Sequence, residues 1–589
     1  MQQPLDFYTA ALHRYTTASD TLQRRLKLLS ISRLFAFVST VLILYFLRND
    51  ISWAIPAALL GMTLFLFLIR YYEDVKIKYR ILHALAKINA TEIAVLQHEF
   101  SELDQGKQYS DPEHEYSHDL DLFGQGSFFQ YMNRTQLPEG KDLLAQLLKE
   151  NAATDIVEKQ HLIQELAGKP KWRQQFTAHA SLITHEVAIA EVIHWLQHYT
   201  PFVPKGMRYL PWIFLGIFIG LAALVYGQVV SEVLLLFWGV LGLGITGRYF
   251  KQISHLALKA DRIKATFKQY SQLIHILEET QFKAPALEAQ KQRLLLESKT
   301  ASVAIQKFSS LLNTMDYNNN IFYAIFGNGC FLGALQTAFQ IERWIQQYNT
   351  QVGEWFKVIA FFDAATSLGN FAFNHPQYSF PKITDDTFVL SCKKVGHPLI
   401  PSKGNIRNDF TIRDENFFII TGSNMAGKST FLRTVGLSVI MANMGLPICA
   451  EECIYSPIKL VTSMRSVDSL YKGDSYFLSE LKRLKKVVLY LEQERYFVLL
   501  DEILKGTNST DKAQGSKRFV ERLLRVKATG LIATHDLSLC EVATTRKNVH
   551  NYHLDATIKE DTLYFDYLLK KGVSQTMNAS FLLEKMDLV

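Results

Sequence analysis

The chain contains few cysteines and few charged residues for its length. Its five cysteines, among 589 residues, show no paired spacing, which excludes a disulfide-stapled scaffold and fits a reducing compartment. Charged residues make up 20% of the chain and hydrophobic residues 48%, an apolar balance for a soluble protein of this size. We therefore expect part of the chain to contact lipid. The net charge of +7 is too small to choose between nucleic acid and anionic lipid as a partner.

Long apolar runs occur in two pairs, at residues 34–47 with 51–69 and at residues 209–226 with 229–246. Each pair is predicted to form a helical hairpin. About 20 residues cross a bilayer; the second and third runs approach this length, whereas the first and fourth need flanking residues. Buried core helices are the alternative, but glycine-containing stretches without charge favour a membrane. We therefore expect four transmembrane helices in contact with lipid.

Basic residues flank both hairpins, whereas the tight turns contain only Arg48 with Asp50 in one and Glu232 near the other. Because basic segments stay on the cytoplasmic side of a membrane, the turns are expected outside and both termini inside. This pattern predicts a multi-pass protein of the plasma (inner) membrane. The flanking residues are Arg24, Arg25, Lys27, Arg33, Arg70, Lys76, Lys78, Arg80, Lys205, Arg208, Arg248 and Lys251.

The remaining sequence changes character near residue 388. Before it, apolar residues recur at three- and four-residue spacing with few prolines, which predicts helices; residues 287–305 are a typical case. After it, short β-rich apolar runs alternate with helical patterns, and the last such run is 531–534. This alternation predicts a mainly parallel sheet with crossover helices.

A glycine-bounded loop follows the apolar run 417–420. The segment 421–430, Thr-Gly-Ser-Asn-Met-Ala-Gly-Lys-Ser-Thr, matches G-x-x-x-x-G-K-[ST] at every fixed position. In such a loop, backbone N–H groups bind phosphate oxygens, Lys428 contacts the β- and γ-phosphates, and Ser429 ligates Mg²⁺. The sequence therefore predicts a site for ATP and Mg²⁺. The predicted nucleotide-binding residues of the loop are Gly422, Ser423, Asn424, Met425, Ala426, Gly427, Lys428, Ser429 and Thr430.

Two further predicted strands end in side chains that suit the same chemistry. One is followed by Asp501 and Glu502; Asp501 is predicted to bind the nucleotide's Mg²⁺ together with Ser429, and Glu502 to polarise the attacking water. The other is followed by His535, whose imidazole is placed to sense the γ-phosphate, with a helix cap as the alternative role. The predicted catalytic residues are thus Lys428, Glu502 and His535.

These motifs resemble the MutS family of mismatch-repair ATPases, relatives of the ABC class. The loop 422–430 is similar to that family's phosphate loop, residues 501–507 resemble its Asp-Glu-x-x-x-Gly-Thr segment, and 533–536 contain its switch histidine. Residues 475–480 resemble its Ser-x-Phe-x-x-Glu stretch, which reaches the partner's nucleotide. The resemblance therefore implies that Ser475 acts in trans and that the protein forms a dimer, expected to be a homodimer.

The similarity extends more weakly to residues 121–140 and 353–368, which look like parts of the family's helical core. No segment resembles the family's mismatch-reading domain with its Phe-x-Glu wedge, because the first hairpin lies where that domain would be. No segment resembles its DNA-clamp domain either. The chain is thus similar to a membrane-anchored variant of the family without the mismatch-recognition domain.

Patterns and resemblance together predict an α/β P-loop ATPase domain of the ABC type at the C-terminus, preceded by an all-α core with two transmembrane helical hairpins. The expected units are a cytoplasmic N-terminal helix (1–33), transmembrane hairpin 1 (34–69), the first part of the helical core (70–208), transmembrane hairpin 2 (209–246), a helical lever or second part of the core (247–387) and the cytoplasmic ATPase domain (388–589).

The function expected from the resemblance is that of a membrane-anchored MutS-family ATPase, in which ATP binding and hydrolysis close the dimer and mismatched DNA is the implied ligand. The alternative is an ATP-driven membrane scaffold or clamp that acts on a protein partner. A transporter is disfavoured because the apolar runs offer no intramembrane charge along a path. Basic clusters at 169–173 and 482–486 are expected to be solvated faces rather than phosphate contacts.

Overall fold

The computed structural model describes residues 3–183, 187–295, 300–316, 320–385, 388–423, 425–465, 476–505, 507–559 and 562–574. An all-helical part comes first and an α/β part follows. The helices of the first part are α1 (Pro4–Phe46), α2 (Ile51–Leu96), α3 (Phe128–Met132), α4 (Pro138–Lys149), α5 (Ile156–Ala167), α6 (Pro170–Ser181), α7 (Ile189–Gln197), α8 (Leu210–Tyr226), α9 (Val233–Arg248), α10 (Phe250–Glu279), α11 (Pro285–Gln292), α12 (Ala301–Asp316), α13 (Asn328–Phe331), α14 (Gly333–Tyr348) and α15 (Gln351–Asn374).

The α/β part begins at residue 382. Its strands are β1 (Lys382–Ile383), β2 (Phe388–Val395), β3 (Asn408–Arg413), β4 (Phe417–Gly422), β5 (Glu452–Tyr455), β6 (Lys459–Ser463), β7 (Tyr496–Asp501), β8 (Thr529–Ala533), β9 (Val549–Leu554), β10 (Ala556–Lys559), β11 (Thr562–Phe565) and β12 (Lys570–Lys571). Its helices are α16 (Lys428–Asn443), α17 (Tyr476–Gln493), α18 (Ser509–Arg525) and α19 (Val542–Thr545).

Helices α1 and α2 form a hairpin that is much longer than its apolar runs. They contain 43 and 46 residues, so each is roughly 65 Å long at 1.5 Å per residue, about twice the thickness of a bilayer's hydrocarbon core. The predicted N-terminal helix 1–33 therefore continues into the apolar part of α1 without a break. Large side chains along the apolar parts of α1 and α2, among them Phe35, Phe46 and Leu60, are exposed.

Helices α8 and α9 form the second predicted hairpin, but they are short. α8 has 17 residues and α9 has 16, because the chain turns where Gln228 adopts a φ of 57°. By length and composition, α1 and α2 are long and apolar enough to cross a membrane, and a third span arises if α9 and α10, which meet at a bend of 64°, are taken as one. The expectation of four full spans is therefore supported for two.

An apolar element that the sequence analysis did not predict packs beside α8 and α9. It consists of a π-helical turn, Tyr323–Gly327, and α13. A side-chain carbon at Gly242 of α9 would lie 2.5 Å from the carbonyl oxygen of Gly329 in α13, so the two helices meet backbone to backbone. Phe322 and Phe326 are 70% and 63% exposed and extend the apolar surface of α8 and α9.

The prediction of a continuous helix over residues 287–305 is wrong. α11 ends at Gln292 and α12 begins at Ala301, and between them Leu295 and Thr300 form an isolated antiparallel bridge. Leu287, Leu294 and Ile305 are all buried in the same hydrophobic core. The three- and four-residue spacing of apolar residues therefore continues across the break between α11 and α12, because the apolar residues on both sides of the break face one core.

The predicted mainly parallel sheet is confirmed. Its strand order is β12-β9-β4-β8-β7-β6, in which β9, β4, β8, β7 and β6 are parallel and β12 is antiparallel. A smaller mixed sheet has the order β1-β5-β2-β3. β4 and β8 are buried along their whole length, as expected for parallel strands covered on both faces.

Register brings the carboxyl ends of three strands to one edge of this sheet. Ile420 of β4 and Asp501 of β7 both pair with Ala533 of β8. The segments that follow β4, β7 and β8 therefore leave the sheet side by side, at the edge where ligands bind in open α/β sheets.

Candidate nucleotide-binding site

The loop after β4 needs glycine at both of its fixed glycine positions. Gly422 has a φ of 144°, and a Cβ there would lie 2.1 Å from the carbonyl oxygen of Leu554. Gly427 has a φ of 94° and directly precedes α16. Both conformations strain any other residue. The loop is therefore held in a turn that leads into the N-terminus of a helix, the arrangement that binds phosphate.

The remaining loop residues present polar atoms and one long apolar side chain. Ser423 Oγ is buried and, within the described part of the chain, has no hydrogen-bond partner. Met425 adopts a φ of 67° and its side chain is exposed, as is that of Thr430. Asn424 lies outside the described residues. An unsatisfied hydroxyl beside a glycine-bounded turn fits a phosphate ligand, which supplies acceptor oxygens.

The ammonium group of Lys428 lies over this loop. It donates hydrogen bonds to the carbonyl oxygens of Gly422 and Ser423, at 2.9 and 3.0 Å. Burial lowers the pKa of Lys428, an effect opposed by the carboxylates of Glu502 and Asp501. The lysine is thus a cation held in a polar cradle, facing the two acidic side chains that follow β7.

Glu502 and His535 are in hydrogen-bond contact next to Lys428. His535 Nε2 lies 2.7 Å from Glu502 Oε1 and 3.0 Å from Lys428 Nζ. The hydrogen bond from His535 is the main cause that lowers the pKa of Glu502 to about 2. This ring nitrogen can donate to Glu502 or accept from Lys428, so the tautomer of His535 decides which neighbour it binds.

The backbone around Glu502 is held in an uncommon conformation. Glu502 has a φ of 47° and Leu504 a φ of 61°, and the Glu502 amide donates to the carbonyl oxygen of Ala533 at 2.9 Å. The carboxylate of Glu480, which is buried on α17, accepts hydrogen bonds from the amides of Leu504 and Lys505, at 2.6 and 3.1 Å. α17 therefore fixes the loop that carries Glu502.

This role of Glu480 was missed by the sequence analysis. The stretch 475–480 was assigned a role only through Ser475, and Ser475 lies outside the described residues. Spacing gives no sign that a glutamate in the first turns of a helix accepts bonds from a distant loop. Glu480 is, however, the fixed glutamate of the Ser-x-Phe-x-x-Glu stretch, and that match is the sequence feature that marks it.

The structure gives the helix cap after β8 to Asp536 rather than to His535. Asp536 Oδ1 accepts hydrogen bonds from the amide and hydroxyl of Ser538, at 2.9 and 2.6 Å. The amide of Thr534 donates to Ile420 at 3.0 Å, which ties the segment after β8 to β4. His535 contacts Glu502 instead.

A pocket of about 350 Å³ adjoins the phosphate loop and was not predicted from the sequence. Its lining includes His397, Met425, Phe431 and Tyr567, and a Cβ at Gly427 would lie 2.9 Å from the Tyr567 ring. Burial lowers the pKa of His397 to about 4, so this ring is neutral at physiological pH. Apolar and aromatic walls beside a phosphate loop suit the base of a nucleotide.

The basic cluster 482–486 is largely solvated, as predicted, because Lys482, Lys485 and Lys486 are exposed and only Arg483 is half-buried. Arg483 Nη2 lies 2.8 Å from Asp119 Oδ2, and Lys486 Nζ lies 2.9 Å from Glu113 Oε2. The helical part thus contributes carboxylates that neutralise α17. The sequence could not show this pairing, because more than 360 residues separate the partners.

Comparison with known proteins finds relatives of the C-terminal part of the chain. The family description MutS domain V matches residues 418–584. Human MutS protein homolog 4 is 31% identical over 212 residues, which are 34% of this chain and 22% of that protein. The DNA mismatch repair protein MutS of Methanococcoides burtonii is 35% identical over 208 residues, 34% of this chain and 23% of that protein.

A third relative, the DNA mismatch repair protein MutS of Chlamydia pneumoniae, is 33% identical over 241 residues, 39% of this chain and 29% of that protein. The matched part of this chain therefore spans about a quarter of the length of the relatives. It contains the phosphate loop, the Asp501-Glu502 pair and His535. By its match to MutS domain V and to these proteins, the C-terminal part of the chain is similar to the MutS family.

Proposed function

We propose that this protein is a membrane-anchored ATPase of the ABC type, which hydrolyses ATP to ADP and phosphate and closes as a homodimer when ATP binds. The observation that carries the proposal is the meeting of Lys428, Glu502 and His535 at one edge of the sheet, where His535 Nε2 lies within 3.0 Å of both other side chains. As the family resemblance implies, Ser475 of one subunit, which directly precedes α17 in the sequence, completes the site of the other.

Each group of the proposed site has a separate role in binding or hydrolysis. Loop amides and Lys428 hold the phosphates, and Ser429 and Asp501 would hold Mg²⁺. The metal supplies positive charge that stabilises the negative charge developing on the transferred phosphate. Glu502, whose pKa lies at about 2, stays ionised and orients the attacking water by accepting its hydrogen bond. His535 links Glu502 to the lysine and so reports whether phosphate is in place.

Membrane anchoring is supported by the length and exposed apolar surface of α1 and α2, and by the exposed apolar side chains of α8 and α9 and of Phe322 and Phe326 beside them. The proposed topology is testable by labelling. Single cysteines at Asn49 and Gln228, both exposed, should react with an impermeant thiol reagent from outside intact cells in a background without the native cysteines. A cysteine at Ser110, which is also exposed, should react only after permeabilisation.

Labelling at position 110 in intact cells would overturn the orientation. Release of the protein from membranes by alkali, without detergent, would remove the anchoring proposal itself. The two results are separate, because the first reports on sidedness and the second on insertion.

DNA is the ligand that the names of two relatives suggest, since both are called DNA mismatch repair proteins. Reading a mismatch requires an element that unstacks a base step, and the matched region covers only the ATPase part. We therefore propose that duplex DNA binds through its phosphates, with a steep dependence on salt.

We expect weak binding of duplex DNA, in which the affinities for mismatched and matched duplexes differ by less than about threefold. This difference is smaller than the roughly 1–3 kcal/mol that a good base contact contributes. Fluorescence anisotropy with two otherwise identical duplexes, at a low and a physiological salt concentration, measures this ratio. A mismatch preference of tenfold or more contradicts it. Absence of binding at low salt favours the second candidate function.

The second candidate is a clamp or scaffold that acts on a protein partner at the membrane. It is favoured because side chains of the two basic clusters, 169–173 and 482–486, are already paired or buried. Lys169 pairs with Glu165 at 2.8 Å, Arg173 is buried, and Arg483 is bound to Asp119. Cations that are already paired or buried contribute little to the binding of a duplex.

A further inference from the structure

A basic cleft of about 610 Å³ lies in the helical part, between α2, α6 and α15, and shares no residue with the nucleotide site. Its walls contain the cationic side chains of Arg80, Lys87, Arg134 and Arg173 and one carboxylate, that of Glu92. Hydroxyl and amide side chains complete the lining, including Thr91, Thr177, Gln174 and Thr366. The cleft is thus rich in hydrogen-bond donors and positively charged.

The single carboxylate is already satisfied by protein groups. Glu92 is buried; Arg134 Nε lies 2.5 Å from its Oε1, and the side-chain amide of Asn374 donates to its Oε2 at 2.7 Å. Among the described residues, neither Arg80 nor Lys87 has a carboxylate within salt-bridge distance. The positive charge of the cleft is therefore not neutralised by the described part of the chain.

Arg173 is the strongest sign of a ligand. It is 3% exposed and forms no ion pair within the described residues. Its Nε donates to the Leu166 carbonyl at 2.7 Å and its Nη1 to Asn370 Oδ1 at 2.6 Å, while its Nη2 has no hydrogen-bond partner there. The neighbouring Tyr8 hydroxyl donates to Asn374 and Asn370 and also interacts with the Arg173 side chain, whose guanidinium carbon lies 5.3 Å from the centre of the Phe373 ring. Glu92 attracts Arg173 electrostatically but is bound directly by Arg134 and Asn374, so the buried guanidinium has no carboxylate of its own among the described residues, which is costly.

A second unsatisfied atom lies on the same wall. Gln174 is 4% exposed; its side-chain nitrogen donates to Asn89 Oδ1 at 2.8 Å, whereas its Oε1 has no partner within the described part of the chain. The cleft therefore offers an acceptor beside its cations. A ligand with both an anionic group and a hydroxyl or amino donor would satisfy Arg173 and Gln174 together.

We propose that this cleft binds a small phosphate-bearing anion of nucleotide size or smaller. Four cations exceed what one carboxylate would neutralise, and phosphate oxygens can accept hydrogen bonds from the Arg80 guanidinium, the Lys87 ammonium and Arg173 Nη2. The volume lies within the range of small-molecule sites. This inference does not depend on the proposed ATPase or membrane functions.

The phosphate could belong to a soluble organic phosphate or to a phospholipid headgroup. Tyr79, the first wall residue on α2, is ten residues beyond the end of the apolar run at residue 69, which is roughly 15 Å along a helix. A headgroup would have to reach that far from the lipid. The geometry therefore favours the soluble source.

The test uses the full chain in detergent with Lys428→Ala as the background, so that the phosphate loop does not compete for the probe. Inorganic pyrophosphate is titrated by calorimetry. Lys87→Gln and Arg173→Gln should each weaken its binding at least tenfold. Lys171→Gln, an exposed position on α6 outside the cleft, is the matched control and should change nothing. Lys87 is exposed, so its replacement keeps the test valid if the buried Arg173→Gln fails to fold.

A parallel arm measures binding to phosphatidylcholine vesicles with and without phosphatidic acid. Loss of pyrophosphate binding in Lys87→Gln supports a soluble ligand, and loss confined to the phosphatidic acid vesicles supports a lipid headgroup. The proposal is overturned if neither probe binds, or if Lys87→Gln binds both as tightly as the Lys171→Gln control. It is equally overturned if Lys87→Gln weakens only the binding of duplex DNA.

Discussion

Lys428→Ala should abolish ATP binding, whereas Glu502→Gln should bind ATP normally and hydrolyse it at least about a hundredfold more slowly, within the range for loss of a general base. The lysine touches the phosphate loop through Gly422 and Ser423, so its loss removes the positive charge at the phosphates. Glu502 instead contacts His535. The amide oxygen introduced by Glu502→Gln would still accept the hydrogen bond from His535, so the fold of the site is kept while the carboxylate charge is lost.

Binding of a fluorescent ATP analogue and single-turnover hydrolysis measure the two steps separately. Lys517→Ala and Glu541→Gln are matched controls, because these residues form an exposed ion pair at 3.0 Å and lie outside the site. With ATP, Glu502→Gln should also accumulate as a dimer in light scattering. If both site variants lose ATP binding equally, the role given to Glu502 is refuted; if Glu502→Gln hydrolyses at the parent rate, the polarising residue lies elsewhere.

The phosphate loop, the residues after β7 and β8 and the parallel sheet could be predicted from sequence because each depends on local pattern. Glycine positions fix the turn at Gly422 and Gly427, and a buried strand followed by carboxylates fixes the place of Glu502. Parallel strands then bring these ends to one edge. The sequence patterns therefore indicate which residues come together, because parallel strands of this fold class place their carboxyl ends at a common edge of the sheet.

The contacts between the two parts of the chain could not be predicted, because they join residues far apart in sequence. Nothing local marks Glu480 as the support of the loop at Leu504, or shows that Arg483 binds Asp119. The apolar turn at residues 323–327 was missed for a different reason, since it is shorter than a membrane span. The prediction of a helix over 287–305 is wrong because the helical spacing of apolar residues continues across the break between α11 and α12.

Asp119 joins the helical part to the ATPase part through one buried carboxylate. It is 0% exposed and accepts hydrogen bonds from the Thr462 hydroxyl, the amides of Met464 and Arg465, and Arg483 Nη2, at 2.6 to 3.0 Å. These partners lie on β6, just after it, and on α17. Removal of the carboxylate leaves Arg483 without its anion and the amides without an acceptor.

Asp119→Ala should therefore destabilise this junction by about 3–5 kcal/mol, the loss expected when one partner of a buried ion pair is removed. Hydrogen exchange of the full chain measures it, as at least about a hundredfold faster exchange of amides in β6 and α17. Glu113→Ala is the matched control. Glu113 and its partner Lys486 are 68% and 50% exposed, so the change should be below about 1 kcal/mol.

The same substitution should also affect catalysis, because α17 carries both Arg483 and Glu480 and the latter holds the loop that presents Glu502. The phosphate loop follows β4 and does not depend on α17. We therefore expect Asp119→Ala to lower kcat about tenfold or more while ATP affinity changes less than about threefold, the pattern of a lost transition-state interaction. Rescue by Asp119→Glu, which keeps the charge, would support electrostatic positioning. Equal losses in kcat and in ATP affinity would instead mean that Asp119 supports the whole domain rather than the placement of Glu502.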